Sequence, residues 1–195
     1  MKKTKGKIEK LLIEIALKIA KQGKGCLFVI ASNPVKYKLL FGKDIKPFNI
    51  FDNRRRLEIL AFVDGAVIID KDGNMVDYGA EIKITKIFKG FGTRHSAALS
   101  ASLNNNTSIL ASEEDKKVRV FKNGKVLLQI DALERNIEKK VPEAVSLLES
   151  IGAGTVGTIM ASVAGIAGIS LIPGIIIFGV PYYVLKRLLQ EAKKK

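Results

Sequence analysis

Residues 63–84 read VDGAVIIDKDGNMVDYGAEIKI. The apolar residues after Asp64 predict a buried strand over residues 63–70, and those after Asn74 predict a second strand over 75–84. Between the two lies DKDGN (residues 70–74), whose Asp-Gly and Gly-Asn pairs tolerate the positive φ angles of a tight turn. A calcium-binding loop would need Gly at the position of Met75. The stretch therefore predicts a β-hairpin and not a calcium site.

The rest of the chain up to residue 149 mixes helix and strand patterns. Apolar residues spaced three and four apart from Ile8 to Ile19 predict an amphipathic N-terminal helix. Asn123-Gly124 predicts a second hairpin between strands over 118–121 and 126–130. Patterns elsewhere predict strands over 26–31 and 107–111 and helices over 54–62, 94–103 and 133–149. This irregular alternation predicts an α/β domain with a mixed central β-sheet flanked by helices.

The C-terminal region has no charged residue between Glu149 and Lys186. Residues 151–172 are about as long as the ~20 residues that cross a bilayer as a helix. Small residues recur four apart in this stretch, a pattern typical of closely packed membrane helices, at Ala153, Gly157, Ala161 and Gly165. Pro173-Gly174 separates it from a second apolar stretch, residues 175–189. We therefore expect an apolar C-terminal helical hairpin at the membrane, with a buried helical pair in a soluble oligomer as the alternative.

These patterns divide the chain into a globular domain, residues 1–140, and a C-terminal helix with a membrane-associated hairpin, residues 141–195. Lysines and arginines stand on both sides of the apolar block, which favours two cytoplasmic ends. The N-terminal helix is interrupted by charges and lacks the features of a signal peptide. We expect the protein at the cell membrane with its globular domain on the cytoplasmic side.

The composition of the 195 residues limits the class of partner. Lysine and arginine number 33 against 19 acidic residues, a formal charge of +14, so we expect an anionic partner: a nucleotide, nucleic acid or acidic lipid. The lysines are spread along the chain without interleaved aromatic residues, so no specific nucleic acid is expected. The single cysteine, Cys26, excludes an intrachain disulfide and lies in an apolar run typical of a core strand.

Two common types of nucleotide-binding site are not predicted. The sequence from Gly152 to Gly157 matches G-x-G-x-x-G, but a predicted helix precedes it and no acidic residue follows at the distance that a dinucleotide fold requires. The chain also contains no G-x-x-x-x-G-K-[ST] phosphate loop.

Three short segments at strand ends or helix starts carry side chains suited to chemistry. Asp64-Gly65-Ala66 presents a carboxylate beside two residues with almost no side chain, which lets a ligand approach the backbone. The segment of residues 92–96 (GTRHS) places Thr, Arg and the single His at a predicted helix N-terminus, where backbone N–H groups favour phosphate. Residues 112–114 (SEE) follow a predicted strand and offer a hydroxyl and two carboxylates to a metal-bound polyphosphate.

Together and in this order, the three segments resemble the diadenylate cyclase (DAC) domain family, which condenses two ATP into cyclic di-AMP. The family's DGA motif appears as Asp64-Gly65-Ala66, its GTRHR-AA motif as residues 92–98 (GTRHSAA), and its SEE strand end as residues 112–114. The resemblance covers roughly residues 5 to 135. It departs at Ser96, where the family usually has a second arginine.

The resemblance implies roles for individual residues. Catalysis would involve Asp64, Gly65 and Ala66, and Mg²⁺ or Mn²⁺ would be bound by Asp64, Glu113 and Glu114. ATP would be bound by Gly65, Ile82, Gly92, Thr93, Arg94, His95, Ser96 and Ser112, with Ile82 packed on the adenine.

The resemblance also implies a reaction between two chains. Two protomers would face one another so that each ATP attacks the other, which requires a homodimer or a higher homo-oligomer. The expected function is a metal-dependent diadenylate cyclase at the membrane that releases two pyrophosphates. The alternative is a catalytically weak DAC-like nucleotide sensor at the membrane.

Overall fold

The structure, a computed structural model, describes residues 2–42, 45–152 and 169–178. Within those ranges the helices are α1 (Lys2–Lys21), α2 (Arg54–Leu60), α3 (Thr93–Ala101) and α4 (Ile137–Gly152). The strands are β1 (Cys26–Ala31), β2 (Tyr37–Leu39), β3 (Phe48–Asn49), β4 (Ala66–Asp70), β5 (Asn74–Ile82), β6 (Thr107–Ala111), β7 (Lys117–Lys122), β8 (Lys125–Asp131), β9 (Ile169–Ile172) and β10 (Ile175–Ile177).

All of these strands join one sheet in the order β2-β5-β4-β1-β6-β7-β8-β10-β9, with β3 paired to β5. β1 runs parallel to β4, and the other pairs are antiparallel. The prediction of a mixed central sheet flanked by helices is confirmed.

The core lies on both faces of the sheet because strand side chains alternate between them. In β1, Cys26, Phe28 and Ile30 belong to the cluster formed with α1 and α4, whereas Leu27 and Val29 belong to the cluster formed with α3. The apolar residues of α1, spaced three and four apart, are buried on the first face, which confirms the predicted amphipathic helix. The second face carries α3 and therefore the segment that begins with Gly92.

Both predicted hairpins are present. At the first turn Gly73 has a φ of +88°, and one oxygen of Asp70 accepts hydrogen bonds from the N–H groups of Asp72 (2.9 Å) and Asn74 (2.8 Å). At the second turn Asn123 and Gly124 both have positive φ angles, as the favoured two-residue hairpin turn requires.

Cys26 lies in the core, as predicted, with 2% of its surface exposed. Burial raises the pKa of its thiol to about 12, so the thiolate is not formed at neutral pH.

The predicted helical hairpin is wrong for residues 169–178. These residues form β9 and β10, joined by a turn at Pro173-Gly174, and β10 pairs with β8. The Asp131 N–H donates to the Gly174 carbonyl at 2.8 Å. Two tendencies favour this arrangement: the isoleucines of β10 are β-branched, and the outer edge of β8 would otherwise leave its N–H and C=O groups unpaired.

The remaining residues of the predicted hairpin, 153–168 and 179–189, lie outside the described residues. None of the helices within the described ranges is both long and apolar enough to cross a membrane. The division of the chain at residue 140 stays a prediction. α4 extends across that position and packs on α1 in the same core.

The strand pairing of β10 predicts that neighbouring residues differ in how much their replacement lowers the free energy of unfolding. Ile175 is 1% exposed, whereas its neighbour Ile176 is half-buried on the other side of the strand. We expect Ile175→Ala to lower the free energy of unfolding by about 2–5 kcal/mol, and Ile176→Ala to lower it clearly less. Urea denaturation of the full chain measures both values, and equal costs would contradict the strand.

Candidate active site

A cleft of about 430 Å³ opens on the α3 face at one end of the sheet. Its floor is a row of residues that are paired across four neighbouring strands: Leu110, Leu27, Ala66 and Ala80. The two alanines keep the floor shallow, and the volume falls within the usual range of small-molecule sites.

Asp64 stands at the mouth of the cleft, just before β4 begins at Ala66. One oxygen of its carboxylate accepts the Gly65 N–H at 3.0 Å. Gly65 has a φ of +95°, and a Cβ atom there would lie 2.6 Å from the Gly79 carbonyl carbon. Gly79 lies between Asp77 and Ala80, where the β4–β5 pairing shifts register. Because Gly65 lacks a side chain, its backbone can approach that of Gly79, and this contact lies directly beside Asp64.

The N-terminus of α3 forms a second wall. Gly92 precedes the helix, and Thr93 and Arg94 occupy its first turn. The first N–H groups of a helix lack intrahelical acceptors and favour anions. A Cβ atom at Gly25 would overlap the Arg94 guanidinium, which lies directly against that backbone. Arg94 also forms an ion pair with Glu113 at 3.4 Å.

His95 is buried beside this wall. Its Nε2 lies 2.9 Å from Nη1 of Arg119, which comes from β7. Burial and the charge of Arg119 lower the pKa of His95 to about 4, although the carboxylate of Asp115 acts in the opposite direction. His95 is therefore neutral at pH 7.

The third wall follows β6. The Ser112 N–H donates to the Lys117 carbonyl at 2.9 Å, and its hydroxyl bonds to Asp115. Glu113 reaches Arg94, and Glu114 lies near Gly92 at the cleft mouth. Burial acts to raise the pKa of Asp115, but the hydrogen bonds from Arg119 and Ser112 outweigh it and hold that pKa below its usual value.

The remaining side of the cleft is apolar. Ile82 is nearly buried, and Leu40 and Ile84 line the cleft with part of their surfaces exposed. A flat aromatic ligand could rest on this side while its charged part points toward α3.

Comparison with known proteins accounts for this grouping. The model of the DAC family, described as DisA bacterial checkpoint controller nucleotide-binding, matches residues 14–126. The chain belongs to the DAC family. It is 32% identical to a diadenylate cyclase of Methanocaldococcus jannaschii and 29% identical to one of Haloferax volcanii, over 138 residues in each case. These matches cover 63% and 62% of the chain but 45% and 51% of the two relatives, so the chain spans about half their length. Among solved structures, DacA from Staphylococcus aureus is 20% identical with a TM-score of 0.48, covering 72% of this chain and 94% of that one.

The site residues predicted from the DAC resemblance line the cleft with one exception. The residues predicted from the sequence that line it are Asp64, Gly65, Ala66, Ile82, Gly92, Thr93, Arg94, His95, Ser112, Glu113 and Glu114. Ser96 is not part of the lining. It is buried, and its hydroxyl accepts the Phe88 N–H at 3.0 Å, so it secures the loop before α3. Its predicted contact with ATP stays a prediction.

Two residues that contact the cleft lining were not predicted from the sequence. Gly25 lies against Arg94, and Arg119 contacts His95. Arg119 had a detectable signal, because a charged residue alternates with Val118, Val120 and Phe121 in a strand that is otherwise buried. Gly25 had no such signal, because only the folded chain brings it against Arg94.

The acidic residues of the cleft suit a metal that arrives with a nucleotide. Within the described part of the chain, no group of three or more His, Cys, Asp or Glu side chains is arranged to hold a metal alone. Mg²⁺ commonly takes one or two carboxylates and completes its shell with phosphate and water oxygens. Asp64, Glu113 and Glu114 line the same cleft, so theirs are the carboxylates that would hold such a metal.

The contact between Gly65 and Gly79 predicts that replacing Gly65 by alanine lowers stability more than the same replacement elsewhere. Gly65→Ala would face both the left-handed φ, which costs about 1–2 kcal/mol, and overlap with the Gly79 backbone. Gly90 has a similar φ of +82° with nothing within 4 Å of a Cβ atom, so Gly90→Ala is the matched control. Thermal unfolding should show the larger loss for Gly65→Ala, and equal losses would refute the close contact.

Proposed function

We propose that this DAC domain is a diadenylate cyclase that converts two ATP into cyclic di-AMP and two pyrophosphates. The main support is the meeting of three segments in one cleft: the DGA segment, the α3 N-terminus and the SEE segment. Carboxylates, phosphate-binding groups and an apolar side are thereby available to one nucleotide.

The triphosphate would lie against α3. The first N–H groups of the helix and the Arg94 guanidinium favour phosphate oxygens, and Thr93 and Ser112 add hydroxyl donors. The Ser112 hydroxyl, which donates to the Asp115 carboxylate in this structure, would turn its single proton to the phosphate. Neutral His95 can donate one further hydrogen bond. The exposed ion pair between Arg94 and Glu113 is weak enough for a phosphate to replace it. The adenine would rest on Ile82 and the apolar side.

Asp64 would act on the reacting hydroxyl. In each half-reaction a 3′-oxygen forms a bond to the α-phosphorus of the other ATP, the bond from that phosphorus to the leaving pyrophosphate breaks, and the hydroxyl proton is lost. A carboxylate at the cleft mouth can orient the hydroxyl and accept that proton. Mg²⁺ or Mn²⁺ held by Asp64 with Glu113 or Glu114 would neutralise phosphate charge. The protein mainly positions the reactants, as in phosphoryl transfer generally.

The reaction requires a homodimer, because one cleft holds one ATP and each ATP must attack the other. Apolar side chains around the cleft are compatible with a facing protomer, since Leu40, Phe41 and Phe91 are each more than 40% exposed.

We also propose that the protein associates with the membrane through the uncharged residues 153–168 and 179–185. The support is their composition, which leaves no charge between Glu149 and Lys186. The catalytic domain would then stay on the cytoplasmic side.

Replacement of the carboxylate tests the activity. We expect Asp64→Asn to reduce cyclic di-AMP formation at least about a hundredfold, since each ~1.4 kcal/mol of lost transition-state stabilisation is a tenfold loss in rate. Asp52→Asn, an exposed residue outside the cleft, is the control and should keep full activity. Mass spectrometry of cyclic di-AMP and pyrophosphate, with ATP and either Mg²⁺ or Mn²⁺, measures both.

Two other results would change the assignment. ATP binding without product from the unmodified chain would favour the sensor. Equal activity of Asp64→Asn and the unmodified chain would exclude the role given to Asp64.

A mixing experiment tests the dimer. Unmodified chain co-expressed with excess Asp64→Asn should lose most of its specific activity, because a mixed pair has only one competent cleft. Excess Asp52→Asn should leave the activity unchanged. Specific activity that is indifferent to Asp64→Asn would show that a single cleft suffices.

Vesicle flotation tests the membrane association. We expect the full chain to float with neutral phosphatidylcholine vesicles at high salt, where its net charge contributes little. A variant with Ile159→Asp and Ile166→Asp, which introduces charge into the apolar stretch, should remain at the bottom of the gradient. Identical behaviour of the two proteins would contradict the proposal.

A further inference from the structure

Arg119 lies one strand beyond the cleft floor. It pairs with Leu110 across β6 and β7, and with Gln129 across β7 and β8, so it continues the row that forms the floor. Only 3% of its surface is exposed. A buried guanidinium costs free energy unless each of its donors finds a partner, so the partners of Arg119 indicate what it holds in place.

The donors of Arg119 are shared among three groups. Nε donates to the Gln129 amide oxygen at 2.9 Å, and Nη1 and Nη2 both donate to the Asp115 carboxylate. Nη1 also lies 2.9 Å from Nε2 of His95. If Arg119 served only to neutralise Asp115, no contact with the imidazole would be needed.

Only one protonation state of His95 is consistent with the contact between Arg119 Nη1 and His95 Nε2. A guanidinium donates hydrogen bonds and cannot accept them, and it stays protonated in proteins. His95 Nε2 must therefore be the acceptor and carry no proton. A neutral imidazole has one protonated nitrogen, so the proton of His95 lies on Nδ1.

The imidazole is also packed against aromatic rings. The Phe91 ring lies 4.7 Å from the His95 ring, and the Arg119 guanidinium lies over Phe91 at 4.9 Å. Phe88 stacks on Phe91 at 4.6 Å, and its backbone N–H donates a hydrogen bond to the Ser96 hydroxyl. The loop before α3 thus closes around the His95–Arg119 pair.

We propose that Arg119 is a positioning residue that fixes His95 as the Nδ1–H tautomer, so that the ring donates a hydrogen bond to a nucleotide phosphate. The phosphate part rests on the proposed function. The tautomer part rests only on the geometry around His95. The charged groups that face the ring are Arg119 from β7, Asp115 from the segment before β7, and Arg94 from α3.

The chain contains a single histidine, so its imidazole signals need no assignment. Long-range ¹H–¹⁵N spectra of uniformly labelled full chain should show His95 as the Nδ1–H tautomer at pH 7. In Arg119→Met the Nε2 loses its donor, so we expect mixed tautomers and a pKa that rises from about 4 toward the usual value of about 6.5. Arg119→Lys retains a donor and should retain the tautomer.

Arg56→Met is the matched control. Arg56 also lies over a phenylalanine ring, that of Phe48 at 4.7 Å, but neither residue lines the cleft. The control should leave the His95 spectrum unchanged. An Nε2–H tautomer in the unmodified chain, or an unchanged tautomer in folded Arg119→Met, would overturn the positioning role. If Arg119→Met fails to fold, the tautomer in the unmodified chain and in Arg119→Lys still decides the question.

Nucleotide addition tests the phosphate contact separately. Saturation with a non-reactive ATP analogue should shift the Nδ1–H resonance and slow its exchange with water. Saturation without any change at Nδ1 would overturn the phosphate contact. In the assay, Arg119→Met should lower kcat about tenfold or more while changing the KM for ATP less, and Arg119→Lys should recover part of kcat. The chain could show the Nδ1–H tautomer of His95 and bind the analogue, yet form no cyclic di-AMP. That result would refute the proposed cyclase and leave the positioning of His95 by Arg119 intact.

Discussion

The close contact between the backbones at Gly65 and Gly79 is the constraint on which the cleft depends. A side chain at Gly65 would overlap the Gly79 and Ala80 backbone and hold the start of β4 away from the irregular part of β5. The contact lies next to Asp64, which lines the cleft, while Ala66 and Ala80 keep the floor open. The role proposed for the Asp64 carboxylate thus depends on a backbone contact made by the residue that follows it.

The two arginines near the cleft already have partners before a ligand arrives. Arg94 packs against the Gly25 backbone and pairs with Glu113, and Arg119 is shared among Asp115, Gln129 and His95. The two arginines differ in burial, and this separates their roles. Arg94 is exposed and can change partner at little cost, whereas the partners of Arg119 are fixed by the strand register.

Local chemistry made much of the fold predictable. Asp-Gly and Asn-Gly turns defined both hairpins, and the apolar patterns identified β1 and β6 with the correct bounds. The spacing of apolar residues from Ile8 to Ile19 identified α1, which begins six residues earlier at Lys2. Asp64 and Gly65 were expected inside a strand but precede it, because the contact with Gly79 is visible only after folding. β9 and β10 were missed because a run of apolar residues does not distinguish a membrane helix from a strand that covers a sheet edge.

The candidate site was predictable where its residues are contiguous in sequence. The three segments were identified from their side chains and from the family resemblance, and the fold brings them to one cleft. Gly25 and Arg119 act through partners that lie far from them along the chain. Ser96 was expected in the site because of its neighbours, but its direction on α3 turns its hydroxyl to the Phe88 N–H.

The burial of Cys26 has a practical consequence for studying this domain. The single thiol of the chain lies inside a core strand, where burial suppresses its ionisation. Maleimides and other thiolate-directed reagents should therefore not react with it. A cysteine placed on the surface would then be the sole target for a spin label or fluorophore without removal of the native residue. Distances between labelled protomers could therefore be measured in a protein whose interior is unaltered.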